Sequence, residues 1–160
     1  MGKRSVKENK SVYQLSREEA GLTRDGAAEV LGCLSADRIE KLESGVLQPH
    51  PEDVLLMEDG YKKPGLCNYY CSHDCAIGRR YVPSVEKKEL AQIVLETLAG
   101  LDALDKEKSR LVEIAIDGKI DAKEKPDFER IRRELERLSL TAGALQLWVA
   151  GALVAGEMEK

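Results

Sequence analysis

LTRDGAAEVLGCLSADRIEKLESGVLQP, residues Leu22 to Pro49, reads as two short helices joined by a tight turn. Thr23 is a good N-cap, and Asp25 follows in the first turn, where a carboxylate suits the positive end of a helix. Ala27, Ala28, Val30 and Leu31 form a small apolar face, and Gly32 stands where a left-handed terminating residue belongs. After Cys33 and Leu34, Ser35 caps a second helix in which Ile39 and Leu42 face inward and Asp37, Arg38 and Lys41 face outward, until Gly45 ends it.

Two helices of about nine residues, small residues at their crossing and a glycine-containing turn make a helix-turn-helix unit, whose second helix enters the major groove of DNA. With Arg17 ahead and Pro49 behind, the ordered set RxxxGLT (Arg17, Gly21, Leu22, Thr23), AxxLG (Ala28, Leu31, Gly32) and IxxLExG (Ile39, Leu42, Glu43, Gly45) resembles the Cro/C1-type (XRE) helix-turn-helix regulators over Val12 to Tyr61. The resemblance implies a five-helix, lambda-repressor-like domain that binds double-stranded DNA and regulates transcription. It also implies an ion pair between Arg17 and Glu43, and a phosphate contact from Arg24, where the family typically places a glutamine. On the second helix the outward set is Ser35, Ala36, Asp37, Arg38, Glu40 and Lys41. Arg38 can fork onto guanine, Lys41 can meet phosphate or guanine, and Ser35 can bond phosphate. Asp37 and Glu40 oppose this, because carboxylates are repelled by phosphates.

Charge sharpens that opposition. Residues 1–51 hold eight Lys/Arg and eight Asp/Glu, residues 52–80 four and five, and residues 81–160 thirteen and sixteen. The net charge of −4 therefore lies outside the motif, but the motif itself is neutral, whereas phosphate attraction supplies much of DNA affinity. A competing reading follows, in which the helix-turn-helix is only a scaffold and the chain is a protein-interaction adaptor.

The chain has 160 residues, enough for one domain with an appendage or two small ones, and 42% hydrophobic, 34% charged and 4% aromatic residues suit an all-α protein. The basic, polar MGKRSVKENK lacks the apolar core of a secretory signal, so a cytoplasmic location is expected, and residues 1–10 read as a flexible basic arm. Residues 11–80 read as the helix-turn-helix domain. Its first helix is expected over Ser11 to Ala20 with Val12, Leu15 and Tyr13 inward, and its fourth from Pro51 to about Gly60 with Val54, Leu55 and either Met57 or Leu56 in the core. A fifth begins near Pro64 and carries Leu66, Cys67, Tyr70 and Cys71, while His50, between two prolines, reads as a loop residue.

Residues 81–160 read as an antiparallel helical hairpin. Leu90, Val94, Thr97, Leu101, Leu104, Leu111 and Ala115 advance by threes and fours before Asp117-Gly118 breaks the run, and Phe128, Ile131, Leu135, Leu138, Ala142, Leu145, Val149 and Ala152 form a second, coiled-coil-like seam. Leu140, Leu147, Trp148 and Leu153 widen the second stripe beyond one seam, so a homodimer through these helices is expected, with packing back on the N-terminal domain as the alternative. The apolar stretch Ala142 to Gly156 is shorter than the roughly 18–20 residues of a membrane span, so a buried helix and no membrane partner are expected.

Three chemical candidates remain. CNYYCSHDC places Cys67, Cys71 and Cys75 at i, i+4 and i+8 with His73 between. On a continuous helix the thiols stand about 6 Å apart per step, too far for one metal, whereas a turn at Ser72 to Asp74 brings them closer. The set with His73 or Cys33 then suits zinc, three thiolates suit an iron–sulfur cluster, and a thiol redox switch is a further alternative to buried structural cysteines. DGKIDAKE, Asp117 to Glu124, resembles the second half of a calcium loop, but the third ligand would fall on Ala115, which has no side-chain oxygen. Neither a Ser/His/Asp set, paired carboxylates nor a phosphate loop appears, so no catalytic residue is assigned and no cofactor is required.

Overall fold

The computed structural model describes residues 9–116 and 118–158. The basic arm expected over residues 1–10 lies outside them apart from Asn9 and Lys10, as does Asp117 of the calcium-like stretch. The elements are α1 (Val12–Glu19), α2 (Arg24–Leu31), α3 (Ala36–Glu43), α4 (Pro51–Gly60), α5 (Leu66–Tyr69) running into a π-helical turn (Tyr70–Asp74), α6 (Gly78–Tyr81), α7 (Leu90–Ala115) and α8 (Lys125–Ala155). The fold is all-α, with no strand among the described residues. It divides into two compact units, one running to Ser84 and one spanning Val85–Leu153.

In the first unit the helix starts are set by hydroxyls. Ser11, Thr23 and Ser35 each accept a hydrogen bond from the backbone N–H three residues on, Gln14, Gly26 and Arg38, at 3.3, 3.1 and 3.2 Å. Gly32 (φ 68°) and Gly45 (φ 76°) turn the chain after α2 and α3 in a conformation that a side chain disfavours. Ala27 and Ile39 are fully buried where these helices cross, and Leu31, Leu34, Leu42, Val54, Met57, Tyr61 and Leu66 complete the core with Tyr13. Two expected core residues are on the surface instead. Leu15 is exposed, because α1 turns Tyr13, Gln14, Ser16 and Arg17 inward, and Leu55 is exposed because Val54 and Met57 take the buried side of α4. His50 is not a free loop residue: it is the N-cap of α4, and its N–H donates to Asp53 at 2.9 Å.

Beyond α5 the chain folds tightly on itself. Cys75 N–H donates to the Tyr70 carbonyl at 2.9 Å, closing the wide turn. Gly78 then lies against the Cys71 backbone so closely that a Cβ there would sit 2.0 Å from the Cys71 carbonyl oxygen. The turn is tied to α1 by Tyr13, whose hydroxyl donates to Asp74 at 2.5 Å and whose ring meets Tyr69 edge-on at 6.4 Å.

The second unit is an antiparallel hairpin of α7 and α8. Arg110 donates to Asp127 at 2.8 Å and Arg130 to Glu107 at 2.8 and 2.9 Å near the connection, while Gly100 lies under Leu138 further along. In the connection, Asp121 accepts from the N–H groups of Lys123 and Glu124, and Glu124 accepts from Asp121 N–H, the reciprocal pattern of a capping box. The seam differs from the one the periodicity suggests. Ile93, Gly100 and Ile114 of α7 and Ile131, Thr141, Ala144 and Ala152 of α8 are buried, whereas Leu90, Val94, Leu101, Leu135, Ala142 and Leu145 are exposed. Each helix is apolar around more than one stripe, and a single neighbour covers only one of them. A second correction concerns length: α8 contains an 18-residue window of mean hydropathy 1.6, long and apolar enough to cross a membrane, of which 17% is buried.

The close approach at Gly78 makes a specific demand. Gly78→Ala is expected to destabilise the first unit by about 1–3 kcal/mol through overpacking against rigid backbone. All five tyrosines lie before Ser84 and the single tryptophan, Trp148, in α8, so near-ultraviolet dichroism of tyrosine should show the loss in urea while Trp148 fluorescence does not.

Candidate nucleic-acid interface

The candidate interface is α2, its turn and α3. Ser35 spends its hydroxyl on capping α3, and its side chain, with those of Asp37, Glu40 and Lys41, is exposed. Ala36 and Arg38 are half-buried.

The orientation of α3 depends on one carboxylate. Glu43, whose side chain is 1% exposed, accepts from Arg17 Nε at 2.5 Å and Nη2 at 3.0 Å and from Arg24 Nε at 3.0 Å. Arg17 also donates to the Leu22 carbonyl at 2.6 Å, and its hydrogen bonds to Glu43 raise its affinity for a proton further, against the effect of burial. The expected Arg17–Glu43 pair is therefore present, with Arg24 as a second donor. Arg24 reaches on to Glu40 at 3.0 Å, so the residue expected on phosphate holds two carboxylates of its own domain.

Arg38 is similarly engaged. Its Nη2 donates to Asp53 Oδ2 at 2.7 Å and its Nε to Oδ1 at 3.4 Å, tying α3 to the start of α4. A base contact from Arg38 requires exchange of this fork. Burial alone would raise the Asp53 carboxyl, but the hydrogen bonds from Arg38 and from His50 N–H, with the guanidinium charge, hold it below the usual carboxylate range. Lys41 pairs with Asp37 at 2.7 Å one turn back; both ends are exposed, so salt and competing phosphates can open it.

The cysteine segment is not gathered into a ligand set. Cys67 donates its N–H to Glu58 at 2.7 Å, and burial, reinforced by the Glu58 charge, pushes its thiol up to about 12, where it stays protonated at neutral pH. Cys75 Sγ accepts from Gly78 N–H at 3.3 Å. The His73 ring stacks on Tyr69 at 4.3 Å, with Nδ1 2.9 Å from the Ser72 hydroxyl and 3.1 Å from the Tyr69 carbonyl. Cys71 lies in the π-helical turn, and Cys33 is exposed in the turn between α2 and α3. Among the described residues no group of three or more His, Cys, Asp or Glu side chains is placed to hold a metal ion.

A capped helix, a glycine turn and a second capped helix crossing it through Ala27 and Ile39 define a helix-turn-helix domain. Residues 14–65 match the protein family described as a helix-turn-helix domain. No curated protein and no solved structure matches the chain.

Two measurements follow from these pairs. Glu43→Ala leaves Arg17 buried without its counter-ion, with only the Leu22 carbonyl to accept from it, and should cost about 3–5 kcal/mol in urea denaturation. Asp53 has its folded pKa below its unfolded value of about 3.9, so its contribution is fully present above that pH and is lost as pH falls through the folded value. Asp53→Asn should therefore flatten the loss of stability below about pH 4 relative to its own stability at pH 5.

Proposed function

We propose that the chain is a sequence-specific DNA-binding transcriptional regulator of the Cro/C1 (XRE) kind, acting in the cytoplasm as a homodimer by sterically occupying a promoter. The observation that carries this reading is the coincidence of the helix-turn-helix match over residues 14–65 with α3, a helix that turns Ser35, Asp37, Glu40 and Lys41 outward. Lys41 is the cation on α3 most readily released to a phosphate.

A second copy is supported by the hairpin. Leu90, Val94, Leu98 and Leu101 on α7 and Leu135 and Leu145 on α8 are exposed, Leu101 by 52% and Leu135 by 48%. Beside them lies a groove of about 300 Å³ whose apolar walls are Leu101, Leu104, Leu111, Ile131 and Leu135. An exposed apolar surface of this extent on a charged helical pair is the kind that a subunit interface covers. Modulation through the cysteine segment is part of the proposal. The bond from Tyr13 to Asp74 is the route by which a change in that segment would reach α1.

The adaptor reading is favoured by one observation, the engagement of Arg24, Arg38 and Lys41 by carboxylates of the same domain. Selection of duplexes from a random pool, followed by salt titration of the selected sequence, separates the two. A regulator should bind with an affinity that falls steeply with salt, and Lys41→Ala should lower the slope of log K against log salt by about one. No affinity for any duplex at low salt would leave the adaptor. Leu101→Glu with Leu135→Glu should convert a dimer to a monomer in sedimentation equilibrium; a wild-type chain that is monomeric and floats with phospholipid vesicles would overturn the homodimer.

A further inference from the structure

We propose that the turn Arg79–Arg80–Tyr81 contacts phosphates of the duplex held by the first unit, an inference that rests on the DNA-binding reading above. It starts from where positive charge remains available. Within residues 9–84, Lys10 pairs with Glu18, Arg17 and Arg24 with Glu43, Arg38 with Asp53, Lys41 with Asp37 and Lys63 with Glu19. Among the described residues Lys62, Arg79 and Arg80 carry no such pair, and only the last two are adjacent. Among the described residues of the first unit, the only adjacent pair of cations without such a partner is therefore on α6, outside the stretch that reads as a helix-turn-helix.

The backbone that carries these arginines is fixed. Gly78 is wedged on the Cys71 carbonyl and donates to Cys75 Sγ, Arg79 N–H donates to the Cys75 carbonyl at 2.9 Å, and Val82 N–H closes the turn on the Gly78 carbonyl at 2.6 Å. Two flexible guanidinium stems thus project from a rigid turn, which limits the ordering cost to the side chains themselves. The Arg80 guanidinium lies 5.6 Å from the centre of the Tyr81 ring, an arrangement that orients the cation without neutralising it. Tyr81 and Ile77 flank the pair at 71% and 73% exposure. A planar guanidinium matches phosphate oxygens through two parallel hydrogen bonds, and each charge brought to a duplex releases condensed counterions. Neither function is available to Arg24 of α2 while it holds Glu40 and Glu43, or to Arg38 of α3 while it holds Asp53. The turn also explains how a domain with a neutral motif could keep affinity for DNA: orientation comes from α3 and charge from α6.

The test uses the full chain with Arg79→Gln/Arg80→Gln and, beside it, Arg79→Lys/Arg80→Lys. On the selected duplex the glutamine variant should weaken binding and lower the slope of log K against log salt by about 1.8, at roughly 0.9 per phosphate contact, while the lysine variant restores most of the slope. Its tyrosine-detected urea transition should stay at the wild-type midpoint, since neither arginine supports the fold through an ion pair. Wild-type binding with an unchanged slope in the glutamine variant overturns this inference alone. A wild-type chain without duplex affinity overturns the DNA-binding reading together with it. An unchanged duplex slope combined with lost binding to polyglutamate would reassign the turn to an acidic protein partner.

Discussion

A carboxylate buried under two guanidinium groups is the constraint on which the first unit depends. Glu43 sits at the end of α3 with almost no exposure, and an ion removed from water to that degree persists only when its oxygens are fully bonded. Arg17 from α1 and Arg24 from α2 supply those bonds, so three helices are fixed by one group. Apolar packing of Ala27, Ile39 and Leu42 would tolerate small rotations of α3. The directional bonds to Glu43 do not, because a shift that lengthens them leaves a buried charge unsatisfied. The second tie, Arg38 to Asp53, does the same between α3 and α4 at the more exposed end of the helix.

These ties draw on the residues that a DNA reader would otherwise present. Arg24 and Arg38 are at once the arginines of the candidate interface and the partners of carboxylates of the same domain. A rigidly placed α3 whose one arginine is internally engaged, beside an equally engaged Arg24 on α2, keeps shape and polar donors but contributes little long-range attraction to phosphate. The neutrality visible in residue counts is thus an arrangement of specific pairs, with Asp37, Glu40, Glu43 and Asp53 each facing a cation.

How far the fold could be read beforehand follows from what each feature depends on. Ser11, Thr23 and Ser35 act over three residues of sequence, and Gly32 and Gly45 act on their own backbone, so α1, α2 and α3 were legible to within a residue or two. Leu15 and Leu55 were misplaced because an eight- to ten-residue helix has few positions from which to fix its inward face; polar Gln14, Ser16 and Arg17 fill that face of α1. The Arg38–Asp53 pair spans fifteen residues and two elements, and no local pattern announces it. The π-helical turn and the wedge of Gly78 against Cys71 come from chain returning on itself, and the spacing of Cys67, Cys71 and Cys75 alone leaves a continuous helix and a turn at Ser72 to Asp74 equally open.

The hairpin shows the same limit from the opposite side, and the reason is physical. Periods of three and four identify an apolar helix, but α7 and α8 carry more than one apolar stripe, and period alone cannot say which stripe meets the neighbouring helix. The buried stripe contains Gly100, Thr141 and Ala144 beside Ile93, Ile114 and Ile131. At Gly100 the missing Cβ leaves room for the Leu138 side chain, which a Cβ would meet at 2.6 Å. The intramolecular seam thus combines small residues with three isoleucines and the half-buried Leu138, and leaves Leu101, Leu135 and Leu145 exposed. Leu101, Leu135 and Leu145 remain exposed, and the most apolar window of α8 is only 17% buried, so covering this surface would add hydrophobic stabilisation. In the proposed homodimer a second hairpin would supply a matching surface, and linking two helix-turn-helix units would raise their joint affinity for a duplex without any new contact in either one.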